Sequence, residues 1–299
     1  MSRIPTLLSS LTLFFLMFLF SCTSETEEIL GEPEVITEGF QFTEGPYWHP
    51  DGYLLFSDIP ANIIYKWEPG NTESDVYIQP SGNSNGITSS PAGAILLAQH
   101  SGKVSQINED STFTVLADQY DDKRLNSPND IVARSDGKIF FTDPPFGVSD
   151  EDRELDFSGV YRLDQDGTLT LLFDGFDYPN GIALSPDEST LYVNDSATGQ
   201  IFQFDLLEDG SVENQSLFAS VGERDDTGAA DGMKTDSEGR VYSSGPGGLS
   251  VFDTEGNRIQ ILGFDERITN LAWGGSDYSS LYVTAPNSVY RVQTNVSGR

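Results

Sequence analysis

Short runs of β-branched, aromatic and other apolar residues recur along the chain, and polar turns separate them. A typical unit is NDIVARSDGKIFFTDP at residues 129–144, in which a polar step leads into a β-run, a turn and a second β-run. The runs alternate or are rich in β-branched and aromatic residues, and no segment after residue 30 has a sustained helical period with caps. The pattern therefore predicts an all-β chain.

This unit occurs six times, and a third and often a fourth β-run follow it. The units begin at Gly45, Asn85, Asn129, Asn180, Asp231 and Asn270. From Asn85 onward, successive starts are 44, 51, 51 and 39 residues apart. A period of about 45 residues with only β-type segments is typical of propeller blades of four strands. The sequence therefore predicts one domain, a six-bladed β-propeller over residues 35–299.

The two ends of the repeat array are complementary. The last unit stops after its third run, whereas Glu34–Phe42 is a β-like segment before the first unit. An open array would leave exposed strand edges, which circular closure removes. We therefore expect the N-terminal strand to complete the last blade.

The N-terminus has the features of an export signal. Arg3 precedes the apolar stretch of residues 11–20, which has the length of a signal-peptide core and is short for a membrane span. Cys22, the one cysteine of the chain, follows it and resembles the lipidated residue of a bacterial lipoprotein. We expect a signal peptide over residues 1–21, an acidic tether over 22–34 and anchoring at the bacterial cell envelope. The alternative is an ordinary signal peptide with a chance thiol.

The charge balance limits the partners. The chain has 47 Asp and Glu against 16 Lys and Arg, a net charge of −31. Nucleic acid is excluded as an expected partner because phosphate contacts need a basic face. The simplest explanation of this net charge is an acidic, well-solvated surface that keeps the protein soluble.

Candidate chemistry lies at the first position of the repeating unit. Oxygen-bearing side chains stand there or one residue before: Glu44, Asn85, Asn129, Asn180, Asp231 and Asn270. Equivalent positions in blades around an axis point to one central place. The alternative is that Asn-Gly and Asp-Gly are simple turns, but their recurrence at blade spacing weighs against it. Two carboxylates and an amide oxygen, from Glu44, Asp231 and Asn180, suit a hard divalent cation such as calcium.

Longer motifs add a resemblance to a known family. They are EGPYW at residues 44–48, NSPND at 126–130, FTDPPFG at 141–147, PNGIALSPD at 179–187, DGMK at 231–234 and GPGG at 245–248. Over roughly residues 38–295 the chain resembles the senescence-marker-protein, gluconolactonase and luciferin-regenerating-enzyme family. The resemblance implies a six-bladed propeller that hydrolyses lactones with one divalent cation.

The resemblance also implies roles for individual residues. Glu44, Asn180 and Asp231 match the metal ligands of the family, and Asn129 matches a residue that completes coordination or contacts the substrate. The family's arginine two residues before that asparagine is replaced by Ser127, and Arg124 lies further upstream. Calcium is the expected ion, with zinc, manganese and magnesium as alternatives.

Two further residues are candidates for substrate contact. Asp143 and His100 stand at the ends of inner β-runs, so we expect both to line the mouth of the channel, although His100 is equally well explained as a structural histidine. His49 is expected at the surface, beside a turn. The sequence shows no plausible Ser-His-Asp triad.

The sequence thus predicts an exported lactonase that acts on sugar-acid lactones, with Asp231 as the base that directs water. One alternative is a phosphoester or organophosphate hydrolase, because a cation polarises P=O equally well. The other is a propeller without catalysis that binds a glycan or protein partner. The oligomeric state stays open.

Overall fold

The computed structural model describes residue 1 and residues 28–298, and the latter form a ring of six four-stranded antiparallel sheets. A six-bladed β-propeller has this architecture, so the predicted fold is confirmed. Within residues 28–298, no helix is long and apolar enough to cross a membrane.

The strands follow the blade order predicted from the repeats. The N-terminal strand is β1 (Leu30–Glu38). Blades one to three contain β2 (Thr43–His49), β3 (Tyr53–Asp58), β4 (Ile63–Trp67), β5 (Asp75–Ile78), β6 (Ser84–Ser89), β7 (Ile95–Gln99), β8 (Lys103–Ile107), β9 (Phe113–Ala117), β12 (Ile131–Ala133), β13 (Ile139–Asp143), β14 (Ser158–Leu163) and β15 (Leu169–Phe176), with a small hairpin of β10 (Gln119–Tyr120) and β11 (Lys123–Arg124) between blades two and three.

The second half of the ring repeats this pattern. Blades four to six contain β16 (Pro179–Leu184), β17 (Thr190–Asp195), β18 (Gln200–Leu206), β19 (Val212–Ser220), β20 (Met233–Thr235), β21 (Val241–Gly245), β22 (Gly248–Phe252), β23 (Arg258–Leu262), β24 (Leu271–Gly274), β25 (Ser280–Thr284) and β26 (Ser288–Thr294). In every blade the first strand of the repeating unit lies innermost, and the turn after it carries Asp, Ser or Gly residues.

The hydrophobic core lies between blades. Six clusters of buried residues each join two neighbouring blades, so that every blade packs on both sides. Where the last blade meets the first, the rings of Trp48 and Tyr282 stack at 4.9 Å. Trp48, Trp67 and Trp273 are all buried in these interfaces. Burial of both faces of each sheet explains why the apolar runs are nearly continuous.

Closure of the ring is confirmed, but its boundaries differ from the prediction. Strand β1 pairs antiparallel with β26 and completes the last blade. It spans Leu30–Glu38 and not Glu34–Phe42, so residues 30–34 of the predicted tether belong to the sheet. Gly31 and Pro33 argue against a strand in the sequence, but an outermost strand tolerates residues that would break an inner one. The rest of the tether before residue 28, Cys22 and the predicted signal peptide after residue 1 lie outside the described residues.

Candidate metal and active site

A cavity of about 250 Å³ opens at one end of the central channel. The inner strands of all blades run in the same direction along the channel, so the starts of the repeating units share this end. Among the residues that line the cavity are Glu44, Asn85, Asn129, Asn180 and Asp231. At the other end, a cavity of about 410 Å³ is lined mainly by apolar and aromatic residues from the far ends of these strands. The converging oxygen donors therefore lie at one end only.

Hydrogen bonds between blades fix the backbone of the donor residues. The Thr142 hydroxyl of blade three donates to the carbonyl of Asn180 at 2.7 Å. The Asn194 amide of blade four donates to the carbonyl of Asp231 at 2.6 Å. In both cases the preceding blade holds the backbone carbonyl, which fixes the position from which the side chain of the same residue reaches the channel.

The glycines that follow the donors have a packing role. A Cβ on Gly181 would overlap the carbonyl oxygen of Asp231, and one on Gly45 would overlap that of Asn85. Gly45 also has a φ of +51°, in the left-handed region. Both glycines lie inside strands, so the Asn180-Gly181 pair is not the turn of the alternative explanation. They allow neighbouring blades to approach closely at the cavity.

Two carboxyl groups dominate the electrostatics of the cavity. Glu44 Oε2 accepts hydrogen bonds from the Gly45 amide at 2.7 Å and from Asn270 Nδ2 at 2.9 Å. Burial nevertheless raises the pKa of Glu44 to about 7. Burial, and then the charge of Glu44, raise the pKa of Asp231 well above its usual value. Two like charges so close in a buried site repel each other, which is unfavourable unless a proton or a cation is shared.

The amide residues of the cavity offer oxygen atoms of a kind that a cation can bind. Asn180 Nδ2 donates to Ser196 Oγ at 3.0 Å, while its Oδ1 is buried and has no hydrogen-bond partner. A buried oxygen without a partner is costly, and a cation would compensate it. Asn129 also lines the cavity and is 4% exposed. Within residues 28–298 no cluster of three or more His, Cys, Asp or Glu residues forms a metal site, so the candidate set combines two carboxylates with amides.

His100 also lines the cavity, as expected. Its Nε2 lies 3.1 Å from Asn85 Nδ2, an amide nitrogen that has only protons to offer. Nε2 is therefore the acceptor and the ring proton is on Nδ1. Burial lowers the pKa of His100 to about 4, which agrees with a neutral ring.

Asp143 does not lie where the sequence predicted. It is fully buried, does not line the cavity, and its two oxygens accept from the backbone amides of Asn126 and Ser127 at 2.8 and 2.7 Å. Arg124 is also a support, because it donates to the carbonyls of Leu125 and Asn126. Both residues hold the segment that leads to Asn129. A carboxylate at the end of an inner β-run can either face the channel or bind backbone behind it, and its position in the sequence does not show which.

Several residues support the site, and of these Asn270 alone belongs to the first-position set of the repeating unit. Ser196 positions Asn180, and Asn270 binds Glu44. Deeper in the channel, Lys234 Nζ lies 3.5 Å from the buried carboxylate of Asp130, whose charge also raises the pKa of Glu44. Asp130 and Lys234 lie within the NSPND and DGMK motifs, but only the folded ring shows that the two motifs meet.

Comparison with known proteins agrees with this geometry. The family model described as SMP-30/Gluconolactonase/LRE-like region matches residues 42–287. A gluconolactonase from Zymomonas mobilis is 36% identical over 294 residues, which cover 89% of this chain and 82% of that protein. Pentonolactonase XacC from Haloferax volcanii is 28% identical, with 84% and 83% covered. The solved structure of a gluconolactonase from Xanthomonas campestris matches with a TM-score of 0.80 and 29% identity, covering 88% of this chain and 89% of that one.

Proposed function

The chain belongs to the SMP-30/gluconolactonase/LRE-like family, and from this membership we propose that it is a lactonase that hydrolyses lactones of sugar acids. The gluconolactonase and the pentonolactonase among its relatives support this substrate class. The observation that carries the proposal is the convergence of Glu44, Asp231, Asn180 and Asn129 on one cavity, with a buried amide oxygen that has no protein partner.

The proposed cofactor is one divalent cation held by these four side chains. Calcium is the best match because the donors are all oxygens and combine carboxylates with amides, whereas zinc favours His and Cys ligands. When bound, the cation polarises the lactone carbonyl and stabilises the negative charge that develops on its oxygen. A cation would also reverse the mutual repulsion of Glu44 and Asp231.

Asp231 is the proposed general base. Its carboxylate accepts a proton from a water molecule as the water oxygen bonds to the lactone carbonyl carbon. When the bond from that carbon to the ring oxygen breaks, the same carboxyl group returns the proton to the ring oxygen. One water is consumed and one hydroxy acid is formed.

Other residues of the cavity orient the substrate. His100, with its proton on Nδ1, remains neutral at the working pH and so adds no positive charge. The Asn129 amide offers either a donor or an acceptor to substrate hydroxyls or completes coordination. His100 lies in the short turn between β7 and β8, and Asn129 lies two residues before β12, so both are held close to the ends of strands, which favours a fixed geometry.

The test is a screen of initial rates. The metal-free protein is reloaded with calcium, zinc, manganese or magnesium and offered aldonolactones and aryl phosphotriesters. We expect lactone hydrolysis with calcium to have the highest kcat/KM. Preferred turnover of phosphotriesters would support the phosphoesterase alternative. If the protein hydrolyses no substrate with any metal but still binds a glycan or a protein partner, the result would support the alternative of a propeller without catalysis.

We also propose that the protein is exported and anchored through lipid at Cys22. The apolar stretch before this cysteine supports the proposal. The ring itself begins at Leu30, so a short connection would separate it from the anchor.

A further inference from the structure

Two arginines line the mouth of the active-site cavity. Arg224 lies in the segment between β19 and β20, and Arg267 lies between β23 and β24. Both side chains are exposed. Within residues 28–298 neither makes an ion pair, although the chain has almost three acidic residues for each basic one. Two uncompensated guanidinium groups at one cavity are therefore notable in so acidic a protein.

Of the acidic residues next to these arginines in sequence, Asp225 and Glu266 are committed elsewhere, and Glu223 makes no ion pair with Arg224. Asp225, next to Arg224, accepts hydrogen bonds from the backbone amide and hydroxyl of Thr227 at 2.7 and 2.6 Å. Glu266, next to Arg267, accepts from the amide and side chain of Asn287, each at 3.0 Å. These local bonds turn both carboxylates to partners other than the arginines, whose charge is left for a ligand.

The surroundings also hold Arg267 in place. Its guanidinium carbon lies 5.4 Å from the centre of the Phe42 ring, and both residues line the cavity. The Phe42 amide donates to the buried carboxylate of Asp58 at 3.2 Å, which fixes the backbone below the ring. A cation placed over an aromatic ring loses less freedom when it binds an anion.

We infer that Arg224 and Arg267 select lactones that carry an additional anionic group, a carboxylate or a phosphate, over neutral aldonolactones. The inference rests on the lactonase function proposed above and narrows its substrate class. A net charge of −31 repels anions over the whole surface, so an anionic substrate needs local positive charge at the entrance. The planar guanidinium binds carboxylate and phosphate through paired hydrogen bonds, which suits both groups.

The kinetic test compares the δ-lactone of gluconic acid with two analogues that carry a carboxylate or a phosphate at the far carbon. We expect the wild type to have a kcat/KM about tenfold or more higher for at least one charged analogue. Arg224→Gln and Arg267→Gln should each raise KM for that analogue about tenfold, the effect of one lost charge-assisted hydrogen bond, with kcat little changed. The analogue that responds identifies the anionic group.

The neutral lactone and a remote arginine serve as controls. The kcat/KM for the neutral lactone should change by less than about twofold in both variants. The neutral lactone has no anionic group for the arginines to bind, so their loss should not affect it. Arg258→Gln is the matched control, because Arg258 is exposed but packs on Phe252 and binds the Ser220 carbonyl away from the cavity. It should leave every substrate unchanged. Equal losses on neutral and charged lactones, or no preference in the wild type, would overturn the inference.

A binding measurement separates this inference from the proposed function. Calorimetry can measure binding of the ring-opened acids, gluconate with one charge and its two analogues with an additional anionic group. Tighter binding of an analogue by the wild type, lost in the double variant Arg224→Gln/Arg267→Gln, would support selection even if no lactone is hydrolysed. Equal binding by the wild type and the double variant would overturn it even if gluconolactone is hydrolysed well.

Discussion

Asp231 and Glu44 both carry a carboxyl group, but the two groups differ in burial and in the hydrogen bonds that they accept. Glu44 lies inside β2, is 2% exposed and already accepts two hydrogen bonds on one oxygen. Asp231 lies two residues before β20, is half-buried, and its carbonyl and amide are held by Asn194 and Ser244. Its carboxyl group can therefore serve both a cation and a proton, whereas Glu44 is suited to binding alone.

We predict that Asp231→Asn lowers kcat about a hundredfold or more, because it keeps an oxygen ligand but removes the base. Metal affinity should weaken less. Glu44→Gln and Asn180→Ala should instead lose metal affinity and regain part of their activity when the metal concentration is raised. Turnover and metal affinity, measured together on the three variants, test this. If saturating metal restores Asp231→Asn to nearly wild-type turnover, Asp231 is a ligand only.

His100 makes a prediction about pH. Its pKa is about 4 in the folded protein, because of burial, and about 6.5 when unfolded. The unfolded state therefore binds more protons between these values, and the free energy of unfolding falls as pH drops from about 6.5 to about 4. The loss from this residue is on the order of 3 kcal/mol, and it is absent above about pH 7.

Denaturant unfolding at about pH 7 and about pH 4.5 measures this effect. The His100→Gln protein should lose less stability on acidification than the wild type. His49→Gln is the matched control, since His49 is the other histidine of the chain and lies outside the cavity beside Asp51. It should retain the wild-type dependence. The same slope in the wild type and His100→Gln would contradict a buried neutral ring.

Sequence alone could identify most of the residues that converge on the cavity, because the repeat marks equivalent positions around an axis. It could not identify which polar residues support them. Asp143 ends β13 and His100 directly follows β7, yet one binds backbone behind the site and the other lines the cavity. Arg224 and Arg267 lie outside the repeat pattern, so only the folded ring shows that they meet at the mouth.

At the scale of the strands, Gly181 in β16 is the point where blade four meets blade five. A Cβ there would overlap the Asp231 carbonyl and the Asn194 amide group that binds it. We predict that Gly181→Ala costs about 1–3 kcal/mol of stability through overpacking and weakens metal binding by displacing Asp231. Gly263→Ala is the control, because a Cβ at Gly263 would meet nothing closer than 3.9 Å. Calorimetric unfolding and metal titration should separate the two variants, and equal behaviour would refute the packing role.

The alternation of apolar and polar residues predicts the positions of the strands well, but it predicts the ends of the strands less accurately. The predicted runs of the repeats correspond to β2–β4 and their equivalents because burial on both faces imposes a strong apolar pattern. Strand β1 begins four residues earlier than predicted because it is outermost, and mostly exposed residues leave a weak pattern. Its position is determined by pairing with β26, which is distant in sequence.

For the whole molecule, the lipid anchor that we propose at Cys22 gives a prediction about location. The Cys22→Ala protein should leave the membrane fraction or remain unprocessed, because no thiol would be left to carry lipid. Fractionation with detergent-phase partitioning measures this, and a second variant, Ser24→Ala, should behave like the wild type. A Cys22→Ala protein that matures and fractionates normally would rule out lipid attachment at this residue.

Closure of the ring makes the last prediction, since β1 joins the two ends of the chain into one cooperative unit. Ile36 is buried between the last and first blades with Trp48 and Tyr282, whereas the neighbouring Val35 is 45% exposed. Ile36→Ala should lower the free energy of unfolding by about 2–3 kcal/mol through the cavity it leaves, and Val35→Ala by less than about 0.5 kcal/mol. Both proteins should still unfold in a single transition, because every blade packs on two neighbours and none is free to melt alone. Calorimetry and denaturant unfolding followed by tryptophan fluorescence test both points. Equal stabilities of the two variants, or a separate early transition in Ile36→Ala, would show that β1 is an appendage and that the ring is held by the other strands.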